Sequence, residues 1–311
     1  MVLGPAGMGR ATIGAARIMP ASPGRALRPA REGQRLVASR EIVPEHYQAF
    51  RAFLEQSCGI VLGDNKQYLV SSRLGHLMER EGIKDLGELV YRVQQPGGQR
   101  LRGMVIEAMT TNETQWFRDT YPFTILQDTL LPEFVKRGQQ QLRIWSAACS
   151  SGQEVYSLSI ALEEYRARGA RIEAEIVGTD ISPAMIAQAK EAKYSASTIN
   201  RGLSPERRDR YFQPSGESWV VRPEIRRRGQ FMVHNLLDSY ASLGRFDIIF
   251  CRNVLIYFSA TSRENILNRM IQQMRPGGYL IVGASESLAR HTGDLQMIRS
   301  HGGVIYRLRE R

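Results

Sequence analysis

The sequence predicts an α/β protein: a doubly wound parallel sheet carrying a small β-subdomain insert, preceded by an all-helical N-terminal domain. Three observations carry that prediction. From Leu142 onward, short apolar runs alternate with helical stretches, the pattern of a parallel sheet with crossovers. Before Met109 the apolar residues recur instead at helical spacing. Between about residues 195 and 229 the rhythm breaks into charged sequence with a short alternating run, Ser218-Trp-Val-Val-Arg222, which reads as an antiparallel hairpin.

The elements follow in order. Residues 1–40 are rich in Gly, Ala, Pro and Arg, lack a continuous apolar stretch, and read as a disordered basic leader. Residues 41–109 form the helical domain. Its first amphipathic stretch, Pro44–Cys58, puts Tyr47, Phe50, Phe53 and Leu54 on one face. Asp64 is the expected N-cap of a helix from Asn65 to Glu81, with Gly82 as its stop and Val70, Leu74, Leu77 and Met78 as its buried stripe. Lys66, Arg73 and Arg80, seven apart, make a basic stripe beside it, either a solvated face or a docking surface for an acidic helical partner. Short helices are expected at Asp85–Val93 and Leu101–Met109, and residues 110–141 form a linker and a first helix. The sheet domain takes residues 142–311, with strands at Leu142–Ala147, Glu175–Thr179, Gln230–Val233, Asp247–Cys251, Tyr279–Val282 and Val304–Leu308. Helices are expected at Glu154–Ala167, Ala184–Lys190 and Arg263–Met274.

Composition narrows the function. The chain has 311 residues, 42% of them hydrophobic, with a net charge of +11. Seven Arg against one Glu place +6 of that in the leader, leaving a modest +5 elsewhere, so charge does not identify a nucleic-acid partner. Apolar runs such as Phe246–Cys251 are far shorter than the roughly 20 residues that span a bilayer. Cys58, Cys149 and Cys251 are scattered with no Cys-x-x-Cys pair, which argues for reduced thiols in a cytosolic protein and against zinc.

Ligands of open α/β sheets bind at the carboxyl ends of the strands. After the first strand, Ala148–Glu154 is a small-residue turn running into a helix. It is neither a phosphate loop nor a dinucleotide fingerprint, since only Gly152 is present. Such a turn suits a nucleoside ligand without a pyrophosphate, of which S-adenosylmethionine is the commonest on this architecture. Glu154 can accept from that ligand's amino group. Asp180, after the second strand, is placed to take both ribose hydroxyls, while Ser182, just before Pro183, caps the next helix. Asn235 and Leu236 can offer an amide and an apolar cap to an adenine edge. After the fourth strand, Arg252, Asn253 and Tyr257 are polar residues embedded in an apolar run, where an unpaired group is costly.

Six motifs now stand in order: Thr110-Thr-Asn-Glu-Thr-Gln-Trp-Phe-Arg118, Trp145-Ser-Ala-Ala-Cys-Ser-Ser-Gly-Gln-Glu-Val-Tyr-Ser157, Gly178-Thr-Asp-Ile-Ser182, Asn235-Leu-Leu237, Cys251-Arg-Asn-Val-Leu-Ile-Tyr-Phe258 and Arg275-Pro-Gly-Gly278. In this combination the chain closely resembles the chemotaxis receptor protein-glutamate O-methyltransferase (CheR) family over roughly residues 41–310. The resemblance implies a doubly wound S-adenosylmethionine-dependent methyltransferase domain and, as substrate, glutamate side chains on the cytoplasmic helical bundle of methyl-accepting chemotaxis receptors. It implies cofactor contacts at Asn112, Thr114, Arg118, Glu154, Asp180, Asn235, Leu236, Arg252 and Asn253. Arg118 and Tyr257 fall nearest the transferred methyl, and Lys66, Arg73 and Arg80 become the receptor-docking stripe. The enzyme is expected to be a cytoplasmic monomer recruited to membrane-bound receptor arrays, without membrane insertion, nucleic acid or metal.

Two departures stand out. Val155 replaces a proline common in the family, and the connection between Phe212 and Trp219 is short where relatives that grip a receptor's C-terminal peptide have a longer Gly-rich loop. No tail-binding groove is therefore expected. The chemistry fits, because a glutamate carboxylate is already ionised at neutral pH and needs no general base, and none of the five His falls within the motifs. Methylation of base amino groups typically uses an Asn/Asp-Pro-Pro-aromatic turn where this chain has Arg252-Asn-Val-Leu255. Cytosine C5 methylation uses a Pro-Cys nucleophile, whereas Cys251 follows Phe250. A non-catalytic scaffold is disfavoured by the intact Arg118, Glu154, Asp180 and Tyr257.

Overall fold

The computed structural model describes residues 42–286, 288 and 293–309; the expected leader, residues 1–40, lies outside them. Four helices come first: α1 Pro44–Cys58, α2 Gln67–Arg80, α3 Leu86–Gln94 and α4 Gln99–Met109. Their apolar faces, including Tyr47, Phe50, Leu54, Val70, Leu74 and Leu89, close into one core. The start of α2 differs from expectation. Lys66 is its N-cap residue without a side-chain cap, and Asp64 instead pairs with Arg51 of α1. Where a nearby arginine offers a charged partner, the carboxylate takes it in preference to a backbone N–H.

The chain then runs through helix α5 Tyr121–Ile125, a π-helical turn Leu126–Leu130 and helix α6 Leu131–Lys136 into a seven-stranded sheet. Its strands are β1 Gln141–Ala147, β2 Glu173–Asp180, β6 Gly229–Val233, β7 Phe246–Cys251, β8 Met274–Val282, β9 Leu295–Ser300 and β10 Gly303–Leu308. The order is β6-β2-β1-β7-β8-β10-β9, parallel from β6 to β8, with β10 and β9 antiparallel. Helices α7 Gln153–Arg166 and α8 Pro183–Glu191 are the first crossovers. β7 is buried along its whole length and apolar at its centre, Ile248–Phe250, because both its faces are covered.

The edge at β9 is absent from the sequence reading. Its residues Leu295–Ser300 are mostly half-buried or exposed, so they lack the apolar run that marks the central strands. β8 also starts five residues earlier than expected. Arg275-Pro-Gly-Gly278, read as a helix stop and tight turn, forms the bulged start of that strand, with Met274 opposite Phe246. Asp247 anchors it by accepting from Arg275 Nη1 (2.7 Å).

The insert holds a three-stranded sheet, β3 Lys193–Ser195, β4 Phe212–Ser215 and β5 Ser218–Val221, in the order β3-β5-β4. The hairpin turn is two residues, Gly216-Glu217, with Gly216 at φ 62°. Trp116 from the first motif anchors this insert. Its ring meets Tyr194 and Phe212 edge-on at 5.0 and 5.1 Å, and its indole N–H donates to the Thr198 carbonyl (3.1 Å).

Candidate active site

The carboxyl ends of β1, β2, β6 and β7 form the floor of a cavity of about 260 Å³. Its roof is the segment from Cys58 to Arg73, which joins α1 to α2, with the linker from Met109 to Gln115. Direct bonds fix this roof. Val61 N–H donates to the Tyr257 carbonyl (2.9 Å), and Gly59, at φ 78°, lies so close to the Phe258 ring that a Cβ there would overlap it. Glu107 of α4 accepts from Ser182 Oγ (2.8 Å) and Ala184 N–H (3.2 Å) at the start of α8.

Asp180 ends β2 inside the cavity. Its two oxygens accept from Ser182 N–H (2.9 Å) and Ser150 N–H (2.8 Å), which leaves further lone pairs for a ligand. Burial raises its pKa above the ordinary carboxylate value, although the backbone donors of Ser182, Ser150 and Ile181 pull the other way. Ser182 Oγ caps α8 by accepting from Met185 N–H (3.2 Å). The helix cap is thus supplied without Asp180.

Arg252, at the end of β7, has a side chain 1% exposed. It donates through Nη1 to Glu154 (2.7 Å) and through Nη2 to Asp119 and the Arg118 carbonyl (each 2.7 Å). Glu154 also accepts from Ser146 Oγ (2.7 Å). Arg252 therefore joins β7, the start of α7 and the linker, and one guanidinium is shared between the two carboxylates before any ligand arrives. Backbone strain gathers around this network. Phe117, Asp119, Thr120, Ala148, Ser150 and Asn253 all have φ between 48° and 66°, a conformation that side chains disfavour and that clusters at functional sites.

All nine expected cofactor residues line this one cavity, as does Tyr257, although they run from Asn112 to Asn253 in sequence. Asn112 contributes its carbonyl to Ser150 Oγ (3.0 Å). Arg118 donates to the Glu113 carbonyl (3.1 Å) and is partly exposed. Leu236 is buried. The Asn235 amide has a structural task that the sequence did not show. Its Nδ2 donates to the Ser57 carbonyl (2.8 Å) and its Oδ1 accepts from Leu237 N–H (3.0 Å), so it ties the roof to the floor.

The basic stripe divides. Arg73 donates to the carbonyls of Met109 (2.7 Å) and Thr110 (2.9 Å) and to Thr111 Oγ1 (3.0 Å), clasping the linker. Lys66 and Arg80 remain exposed, with Lys66 at the cavity and Arg80 beside Glu81.

Two residues at this site escaped the sequence reading, one lining the cavity and one supporting its wall. His234 follows β6, and its buried Nε2 has no partner among the described residues. Glu286, beyond β8, accepts from the N–H groups of Asn253 (2.8 Å), Gly283 (2.7 Å) and Ile256 (3.3 Å), holding the loop that carries Asn253 and Tyr257. A carboxylate just past a strand was the available signal for Glu286. Cys251 is no nucleophile, because full burial pushes its thiol pKa well up.

These residues fit S-adenosylmethionine. A buried carboxylate with spare lone pairs suits ribose hydroxyls, Leu236, Ile181 and Val254 provide apolar wall, and Asn253 Oδ1 is a buried acceptor that no described residue uses. Comparison with known proteins agrees. The all-alpha domain of CheR methyltransferases matches residues 45–110 and their SAM-binding domain residues 112–304. A chemotaxis protein methyltransferase of Pseudomonas aeruginosa is 57% identical over 267 residues, 84% of this chain and 97% of that protein. One from Pseudomonas putida is 55% identical over 84% of this chain and 96% of its own length. One from Salmonella typhimurium is 32% identical over 85% and 90%. With both domains matched in order and identity above one half along nearly the whole of two relatives, the chain belongs to the CheR family of S-adenosylmethionine-dependent chemotaxis methyltransferases.

Proposed function

We propose that this enzyme methylates glutamate side-chain carboxylates on the cytoplasmic helical bundle of methyl-accepting chemotaxis receptors, forming methyl esters that tune receptor adaptation. The observation that carries the reading is the pairing of Arg118 and Tyr257 along one cavity with Asp180 and the Arg252–Glu154 network. S-adenosylmethionine, when bound, supplies a methyl group on a sulfonium that is already a good leaving group.

The protein's task is then alignment and desolvation. Asp180 holds the ribose, and Glu154 and Asn253 offer acceptors to the amino-acid end. Arg118 holds a carboxylate, whether that of the substrate or of the cofactor, and the Tyr257 hydroxyl orients the attacking oxygen. No side chain needs to remove a proton, because the nucleophile is already an anion. Orienting two reactants in this way can contribute roughly 7–11 kcal/mol.

The helical partner docks on the exposed side of α2 through Arg80 and Lys66, and the enzyme acts as a cytoplasmic monomer drawn to receptor arrays. The two-residue turn Gly216-Glu217 and Pro214 on the edge strand β4 support a reading in which the receptor's C-terminal tail is not gripped. Incubation with methyl-labelled S-adenosylmethionine and receptor-bearing membranes tests the proposal. Base-labile label on the receptor is expected, and Arg118→Ala should abolish most of it. Label that survives mild base, or receptors that stay unlabelled, would contradict the glutamate assignment.

A further inference from the structure

The loop that carries Tyr257 leaves β7 beside the end of β8, with Cys251 paired to Val282. Its own sequence does little to hold it. Asn253 sits at φ 57°, a conformation that persists only where its surroundings impose it. The 3-10 turn Leu255–Tyr257 has no side-chain cap from Val254. Its backbone bonds, from Tyr257 N–H to the Val254 carbonyl and from Phe258 N–H to the Leu255 carbonyl, are both 3.2 Å long. The missing support comes from beyond β8. Glu286 Oε2 accepts from Asn253 N–H (2.8 Å) and Gly283 N–H (2.7 Å), and its Oε1 accepts from Ile256 N–H (3.3 Å). Glu286 is 9% exposed, and among the described residues its side chain meets N–H groups rather than a cation. The carboxylate is itself fixed. Glu286 N–H donates to the Gly283 carbonyl (2.9 Å), and a Cβ on Gly283 would come within 2.6 Å of Oε2, so glycine is what admits the carboxylate.

The two oxygens have different tasks. Oε2 ties the strained Asn253 backbone to the end of β8. Oε1 supplies the cap that the 3-10 turn lacks, with the added strength of a charged acceptor, and the last residue of that turn is Tyr257. From the roof, Val61 N–H meets the Tyr257 carbonyl (2.9 Å), so the turn is held at its start and at its end. Asn253 and Tyr257 line the cavity, whereas Glu286 does not. We propose that Glu286 is a positioning residue for the transfer step: its Oε1 cap on the Leu255–Tyr257 turn aims the Tyr257 hydroxyl at the attacking oxygen, and neither reactant touches it. The inference rests on the role proposed above for Tyr257.

Glu286→Gln in the full chain separates the two tasks. Its amide oxygen in the Oε2 place keeps Asn253 and Gly283, while its NH2 in the Oε1 place meets Ile256 N–H donor to donor. Turnover on receptor-bearing membranes should fall about tenfold, with affinity for S-adenosylhomocysteine by calorimetry kept within about twofold. Made in the Tyr257→Phe background, the same change should lower turnover less than about twofold further, because residues acting through one group are not additive. Wild-type turnover in Glu286→Gln would overturn the proposal. So would the full tenfold loss in both backgrounds, or a parallel loss of ligand affinity, which marks a general loosening of the site. Tyr257→Phe alone is the control for the underlying reading: at the wild-type rate it removes the role of Tyr257 and that of Glu286 with it. If Glu286→Gln does not fold, hydrogen exchange in the wild-type chain decides. The Ile256 side chain is 51% exposed, yet its amide should exchange at least about tenfold more slowly than an open one, and unprotected exchange would overturn the cap.

Discussion

Asp180 is pulled in two directions. Burial favours its neutral form, and the backbone donors of Ser182 and Ser150 favour the charged one, with burial the larger effect. A folded-state pKa above the unfolded one means that this group's contribution to stability is present at acid pH and is lost as pH rises through the raised value. On the proposed ribose contact ligand affinity runs the opposite way, because only the ionised form would accept from both hydroxyls. Affinity for S-adenosylhomocysteine should therefore fall as pH drops from about 7 toward 4, beginning above the ordinary carboxylate range. Asp180→Ala should bind at least roughly tenfold more weakly and lack this acid limb; calorimetry across that window checks both, and a flat wild-type profile contradicts the ribose contact. Tyr257→Phe removes a hydroxyl alone, so turnover should drop while S-adenosylhomocysteine affinity stays. Wild-type turnover would reduce Tyr257 to packing. Asp180 was legible because a strand end followed by its own helix cap is a local pattern. The tie from the Asn235 amide to the Ser57 carbonyl was not, because the two residues lie 178 apart in sequence.

At the scale of elements, Arg252 is the fastening between β7, α7 and the linker. Arg252→Met would leave the largely buried Glu154, and the more exposed Asp119, without their cation. Breaking such an arrangement typically costs about 3–5 kcal/mol, so urea unfolding should show a loss in that range. A loss under about 1 kcal/mol would mean that both carboxylates reach water on their own. The central strands were readable because their apolar runs are continuous, as in Phe246–Cys251. β9 was hidden because an edge strand packs on one side only and needs no such run. The Arg275–Gly278 segment misled for a related reason. Pro and Gly signal a turn locally, but pairing of Met274 with Phe246 draws the segment into the sheet as a bulge.

Across the whole molecule, recognition of an acidic helical partner should be electrostatic. Arg80, 67% exposed at its side chain and outside the cavity, is the clean probe, whereas Arg73 clasps the linker and would disturb the site. Arg80→Glu should lower receptor methylation a few-fold, in keeping with about 0.3–1 kcal/mol per exposed charge, without changing cofactor affinity. Raising salt should act in the same direction, and salt-insensitive methylation would leave the stripe as a solvated face. Every cavity residue lies between Cys58 and Phe258. A chain beginning at Arg40 should accordingly methylate receptors as well as the full chain, with or without the receptors' last few residues, measured side by side on the same membranes.

The cavity with a helical roof and a sheet floor makes the methyl donor a mortar as well as a reagent. A ligand that binds only when roof and floor are together adds cohesion by mass action, about 2.7 kcal/mol at a hundred times its dissociation constant. The grip of α1 and α2 on the strand ends then rises and falls with the supply of methyl donor. Limited proteolysis that separates the helical roof from the sheet should accordingly slow when S-adenosylhomocysteine is added.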